Sequence, residues 1–127
     1  MAYKSIIYAA GADDFAGVAK LLAEGADANM KEEGGWTPLF HAAYHGNYDM
    51  AVILIVRGAD VNARSEAGYT PLSLAAQWGM SRVAELLIAK GADVNAERSG
   101  DQSPLGLARA YHHEDIVELL KKHGATG

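Results

Sequence analysis

The fold class this sequence predicts is all-α, a solenoid of short helix pairs, and three observations predict it. The first is a period. "GADAN" starts at Gly25, "GADVN" at Gly58 and Gly91, and "GA" at Gly124, each step being 33 residues. "TPL" starts at Thr37 and Thr70 and "SPL" at Ser103, again 33 apart, and residues 31–63 align with 64–96 at 17 identities in 33 without a gap. Self-similarity at such a period marks a stacked-repeat architecture. The second observation is that each period holds two stretches of helical apolar spacing separated by turn residues. The third is that one such unit cannot bury its own apolar face, so neighbours must stack.

Each element has a local cause. Thr37 is a candidate N-cap, and Pro38 at the first helical position gives up no needed N–H. Leu39, Ala42 and Ala43 share one helical face, and the two alanines let a neighbouring helix come close. Gly46 and Gly79 stop the first helix where a left-handed residue is wanted. The first and last units have Asp13 and His112 there, residue types that tolerate this conformation better than most. The second helix follows, with Met50, Ala51, Ile53 and Leu54 in one unit and Val83, Ala84, Leu86 and Leu87 in the next, and Gly58 and Gly91 end it. "ADVNA" then leads into a turn, its Asp and Asn able to bond nearby backbone. The units expected are 1–30, 31–63, 64–96 and 97–127, forming a single domain over 1–127.

Composition is consistent with one globular domain. Half of the 127 residues are apolar and 21% are charged, the balance of a packed protein rather than a disordered one. The net charge of −5 is spread along the chain. Without a basic stripe there is little to bind a phosphate backbone, so no nucleic-acid partner is expected. There is no cysteine, which removes disulfides, thiolate zinc sites and a Cys nucleophile. The longest apolar run, "MAVILIV" at 50–56, is far short of the ~20 residues that span a bilayer, and no signal peptide is recognisable. The expectation is a soluble cytoplasmic protein with no membrane partner.

The units "GWTPLFHAAYHGN…LIVRGADVNA" and "GYTPLSLAAQWGM…LLIAKGADVNA" resemble ankyrin repeats. The resemblance covers the whole chain as four units, the first and last acting as caps. "SPLGLARAYHH" resembles a closing repeat, and it places Lys121 and Lys122 where other units have Ile88 and Ala89, and Arg109 where they have Ala43 and Ala76. The first unit has Lys4-Ser5 in place of Thr-Pro. These ends are the ones expected of a complete array. Two departures stand out. The family's His after Thr-Pro-Leu is replaced by Ile7, Phe40, Ser73 and Gly106, so its hydrogen bonds between repeats are expected to be missing. The Asp that usually opens the turn is replaced by Glu32, Ser65 and Arg98, and Asp101 stands where Gly35 and Gly68 do, so the fourth turn is expected to be less regular.

Written as columns 33 apart, the sequence separates framework from display. The residue before Thr-Pro reads Tyr3, Trp36, Tyr69, Gln102. The last two positions of the first helix read Gly11, Tyr44, Gln77, Ala110 and Ala12, His45, Trp78, Tyr111. The turn columns carry Glu33 and Glu66. In ankyrin proteins these are the variable columns, and the resemblance implies that they line a concave binding surface. Of ten aromatic residues, six (Tyr3, Trp36, Tyr44, Tyr69, Trp78 and Tyr111) fall in the three ring-bearing columns. Leu, Ile, Val and Ala already occupy the core columns, so the rings are not needed there, and clustered Tyr and Trp are typical of binding hot spots. Each ring can bury roughly 150–250 Å², and five approach the ~800 Å² per partner of a standard interface.

The expected function is therefore protein–protein binding through an aromatic concave face. Trp36, Tyr69 and Trp78 are its central anchors, surrounded by Tyr3, Glu33, Tyr44, His45, Glu66, Gln77, Gln102 and Tyr111. The anchors stand at roughly 10 Å steps, the helix-packing distance. Two alternatives use the same face. One is a reader of methylated peptide, with Trp36, Tyr44, Tyr69 and Trp78 caging an ammonium near Glu33 or Glu66. The other is self-association into a symmetric homo-oligomer. Catalysis and cofactors are not expected. His41 lies in a core-facing column (Tyr8, His41, Leu74, Leu107) with no paired carboxylate evident, and a bond to Tyr8 is its expected role. His112-His113 with Glu114 and Asp115 lacks metal-ligand spacing, the two acids serving better to open a helix. No nucleophile elbow or phosphate loop is present.

Overall fold

The computed structural model describes residues 5–97 and 102–126, and in them the period becomes four helix pairs. The pairs are α1 (Ile6–Gly11) with α2 (Phe15–Ala23), α3 (Pro38–His45) with α4 (Tyr48–Val56), α5 (Pro71–Trp78) with α6 (Ser81–Ala89), and α7 (Pro104–Ala110) with α8 (Glu114–Lys122). The turn at 98–101, where the irregular fourth hairpin was expected, and Tyr3 and Lys4 lie outside the described residues.

Stops and starts follow local chemistry. Gly46 and Gly79 end α3 and α5 in the left-handed conformation, at φ 68° and 74°. Asp13 and His112 adopt it at the same place in the outer pairs, at φ 59° and 62°. Starts are less uniform. Thr70 and Ser73 exchange bonds in a capping box, and Ser103 accepts from the Gly106 N–H. Thr37 occupies the N-cap position of α3 but makes no capping bond, and its buried hydroxyl has no hydrogen-bond partner. The expected cap is thus present in position and absent in chemistry. The Phe40 N–H, which a Thr37 cap would accept from, donates instead to the Thr37 carbonyl at 3.0 Å.

The helices form two layers. The first helices pack α1 on α3, α3 on α5 and α5 on α7, and the second helices stack likewise but less closely. The reason is the small residues of the first helices: the pairs Ala9 and Ala10, Ala42 and Ala43, Ala75 and Ala76, and the single Ala108 of α7, are completely buried. Closer spacing in one layer bends the stack toward it, as in other solenoids. Between the layers run Val18, Leu22, Leu39, Met50, Leu54, Leu72, Leu87, Leu105, Ile116 and Leu120 in one continuous core. Each fully buried Leu or Ile contributes about 1.5–3 kcal/mol.

The "GADVN" loops join neighbours. Asp27, Asp60 and Asp93 each accept from the amide two residues on, at 2.8–2.9 Å, the local turn expected of Asp. The Asn reaches further. Asn29 donates to the Gly58 carbonyl and accepts from the Asp60 N–H, Asn62 does the same with Gly91 and Asp93, and Asn95 with Gly124 and Thr126. One amide side chain per unit satisfies a donor and an acceptor in the next. At the opposite end of the second helices, Met80 lies against Gly46 and His113 against Gly79, where a Cβ would come within 2.6 Å of either side chain.

Candidate functional site

The hairpin tips and the ends of the first helices form one side of the stack. Each described tip is closed by backbone: Glu32 N–H to the Trp36 carbonyl and Gly35 N–H to the Glu32 carbonyl in one, Ser65 N–H to Tyr69 and Gly68 N–H to Ser65 in the next, all at 2.9 Å. Ser65 adds its own hydroxyl, which accepts from the Tyr69 N–H at 3.1 Å. The Glu66 N–H donates to the Gly34 carbonyl at 2.9 Å and holds the two tips together. Gly35 makes this approach possible. Its φ is +85°, and a Cβ there would lie 3.0 Å from the Glu66 nitrogen and 3.3 Å from the Ser65 Cα.

Beneath these tips is a second, small core made of Phe40, Ala63 and Leu74, with Trp36 and Tyr69 packed against it. The Trp36 indole stacks on Phe40 at 5.6 Å. This corrects the reading that the rings have no core to fill. Trp36 and Tyr69 are half-buried wedges whose inner faces cover Phe40, and only their outer parts meet solvent. The residue substituted for the family's His creates that need, because Phe40 adds a large apolar side chain that must be covered.

Outward from Trp36 the rings continue as a row. Tyr44 lies 6.2 Å from Trp36 and meets Trp78 edge-on at 5.4 Å. Tyr44 is 41% exposed, Trp78 46% and Tyr111 50%. Gln77 reaches the Tyr111 hydroxyl at 3.5 Å, and its backbone carbonyl accepts from His113 at 3.1 Å. His45 packs against Tyr44 at 5.2 Å and donates to the Gly11 carbonyl at 3.2 Å, tying α3 to α1. Gln102 is exposed beyond the row. Contact between Tyr44 and Trp78 leaves no gap for an ammonium between those two rings. The open volume lies to the side of Trp36.

That volume is a cleft of about 520 Å³ between the second and third tips, lined by Glu32, Glu33, Gly34, Trp36, His41, Ser65, Glu66 and Ala67. Glu33 and Glu66 are exposed. Glu32 accepts from His41 Nε2 at 2.5 Å, so His41 does have a carboxylate partner, contrary to the sequence reading. The spacing concealed it: nine positions separate the two residues, and the hairpin folds the Glu back over the helix. The His41 ring also meets Trp36 at 5.1 Å and lies beside Gly11. Tyr8, placed with His41 in a core-facing column, is instead 60% exposed, whereas Leu74 and Leu107 are buried. Among the described residues no helix precedes α1 to cover Tyr8.

Among the described residues, no group of three or more His, Asp or Glu side chains is placed to hold a metal ion, and no helix is long and apolar enough to cross a membrane. Glu114 and Asp115 open α8, and the Asp115 carboxylate accepts from the Ser81 hydroxyl of the preceding pair. That bond holds the Asp115 carboxyl below its ordinary range, against a smaller opposing effect of desolvation.

A family model described as ankyrin repeats (3 copies) matches residues 6–98 of the chain. The match spans the first three helix pairs, and α7 with α8 lies beyond it. No curated protein matches the chain.

Proposed function

This chain belongs to the ankyrin-repeat family, whose members are non-catalytic modules that bind other proteins, and from that premise we propose that it binds a partner protein across the row of rings on its first-helix side. The observation that carries this reading is the row itself. Trp36 anchors it on Phe40, Tyr44 and Trp78 continue it in edge contact, and the last two keep more than two-fifths of their surface open. Exposed rings held by neighbouring rings lose little conformational freedom on binding, and Tyr and Trp are the side chains enriched in hot spots. Glu33, Glu66, Gln77, Gln102, His45, Tyr69 and Tyr111 form the rim of the proposed surface. In this reading α7 and α8, which pack on α5 and α6 as those pack on α3 and α4, form a fourth repeat. The proposed setting is the cytoplasm.

The test compares proteins retained by the immobilised chain with those retained by Trp78→Ala. Loss of a hot-spot ring costs about 2 kcal/mol or more of binding, roughly thirtyfold in affinity, with the urea midpoint little changed because the ring is not in the core. Retention that is identical with Trp78→Ala and Tyr44→Ala, or unfolding of Trp78→Ala, would overturn the proposal. Self-association through the same face predicts a sedimentation coefficient that rises with protein concentration and no longer does so in Trp78→Ala.

A further inference from the structure

The row of rings ends in the cleft over Trp36, and the chemistry of that cleft says what kind of segment fits it. One wall is an indole whose inner face is fixed on Phe40. The rim carries Glu33 and Glu66, one on each hairpin tip, and the floor carries Glu32, already bonded to His41. No lysine or arginine is among the described residues that line it. The tips cannot drift apart freely, because the Glu66 N–H to Gly34 bond and the close seat of Gly35 clamp them. The result is a preformed slot with carboxylates on two sides and one indole wall, met edge-on by the His41 ring.

We propose that this slot takes an unmodified arginine side chain from an extended basic segment of the partner, while the residues that follow lie along Tyr44 and Trp78. The inference rests on the binding face proposed above and adds the chemistry of its ligand. Charge complementarity selects a cation, in a chain whose net charge is −5. Planarity and donor count select arginine. A guanidinium stacks on one ring while its in-plane N–H groups reach carboxylates on either side. A trimethylated ammonium has no N–H to give Glu33 or Glu66 and is held best by several rings around it; here the rings that line the slot are the Trp36 indole and the His41 imidazole, the latter tied to Glu32, and Tyr44 and Trp78 are in contact with each other. An extended chain advances ~3.3 Å per residue, so a few residues carry it from the cleft to Trp78.

The test needs no known partner. N-acetyl-arginine amide, its neutral isostere N-acetyl-citrulline amide and N-acetyl-trimethyl-lysine amide are titrated in turn into the full 15N-labelled chain. The readouts are the Trp36 indole N–H and the amides of Gly34 and Ala67. The arginine amide is expected to shift these signals saturably, with the citrulline amide about tenfold weaker or worse for want of charge, and added salt should weaken binding. Glu33→Gln with Glu66→Gln, both on exposed side chains, should abolish the arginine response and leave the urea midpoint in place. Equal response to arginine and citrulline, tighter binding of trimethyl-lysine, or no shift at these groups would overturn the proposal. So would concentration-dependent broadening of the same signals without any ligand, which would put a second copy of the chain in the cleft. Arginine binding without any Trp78-dependent protein partner would refute the binding face and leave the slot standing. Partner binding without an arginine response would do the reverse.

Discussion

The second and third helix pairs have nearly the same backbone and opposite chemistry at their tips. Both begin Thr-Pro-Leu, both end the first helix on a left-handed glycine, and both close a hairpin by the same two backbone bonds. At the third helical position one has Phe40 and the other Ser73. Ser73 completes a capping box with Thr70. In the other unit the Thr37 hydroxyl is buried without a partner, and Phe40 nucleates a small core that seats Trp36 and Tyr69. At the turn start, Ser65 bonds its own hairpin, whereas the longer Glu32 reaches His41 and becomes part of a cleft. The framework tolerates the exchange because it is held elsewhere, by alanine contacts and the Asn bridges. One unit therefore keeps its local hydrogen bonds, and the other replaces them with a surface.

The sharpest way to break this comparison is Phe40→Ala. Truncation of a fully buried Phe should cost about 3–5 kcal/mol, read from urea unfolding, and the remaining Trp36 fluorescence should shift toward that of a solvated indole. If the loss stays within ~1 kcal/mol, the second core does not hold the tips. The Asn bridges come next. Asn29→Ala and Asn62→Ala should each cost about 1–2 kcal/mol, being two lost bonds between units. Asn95→Ala should cost less, since its bond to Gly124 is the longest of the three at 3.4 Å. Equal costs at all three would mean that the bridges are not graded by geometry.

The two threonines sharpen the contrast further. Thr70→Val removes a capping bond and should cost about 1 kcal/mol. Thr37→Val replaces an unpartnered buried hydroxyl by a methyl and should be neutral or stabilising by up to ~1 kcal/mol. Identical losses in the two variants would show that Thr37 has a partner in solution. The smallest effect is electrostatic. Because the Ser81 hydroxyl lowers the carboxyl pKa of Asp115 in the folded chain, the bond stabilises the fold above the ordinary carboxylate range, and that contribution is lost as the pH falls through the lowered folded value. Wild type and Ser81→Ala should thus differ near neutrality and converge in acid. A difference that persists in acid would assign it to packing.

Much of the architecture was legible in the residues. Glycine spacing marked the helix stops, and the same logic identified Asp13 and His112 as their left-handed substitutes. Alanine pairs marked the close layer. Three features were not legible. The Glu32–His41 bond needs a hairpin folded onto a helix. The second core depends on what lies beneath Phe40 once two units have stacked. The Asn bridges look local in sequence, because the Asn stands two residues after an Asp that does make a local turn, yet the Asn side chains satisfy groups 29 and 31 residues away.

By itself the sequence determined the repeat, the helix limits and the residues that must be buried, because these follow from a period, from backbone conformations that few side chains accept, and from apolar spacing along one helix. The tertiary structure alone decided which of the ring-bearing positions remain open. Trp36 and Tyr69 are drawn inward by the apolar surface of Phe40, whereas Tyr44, Trp78 and Tyr111 keep theirs. Exposure belongs to the neighbours a side chain meets after stacking, and no single unit contains them.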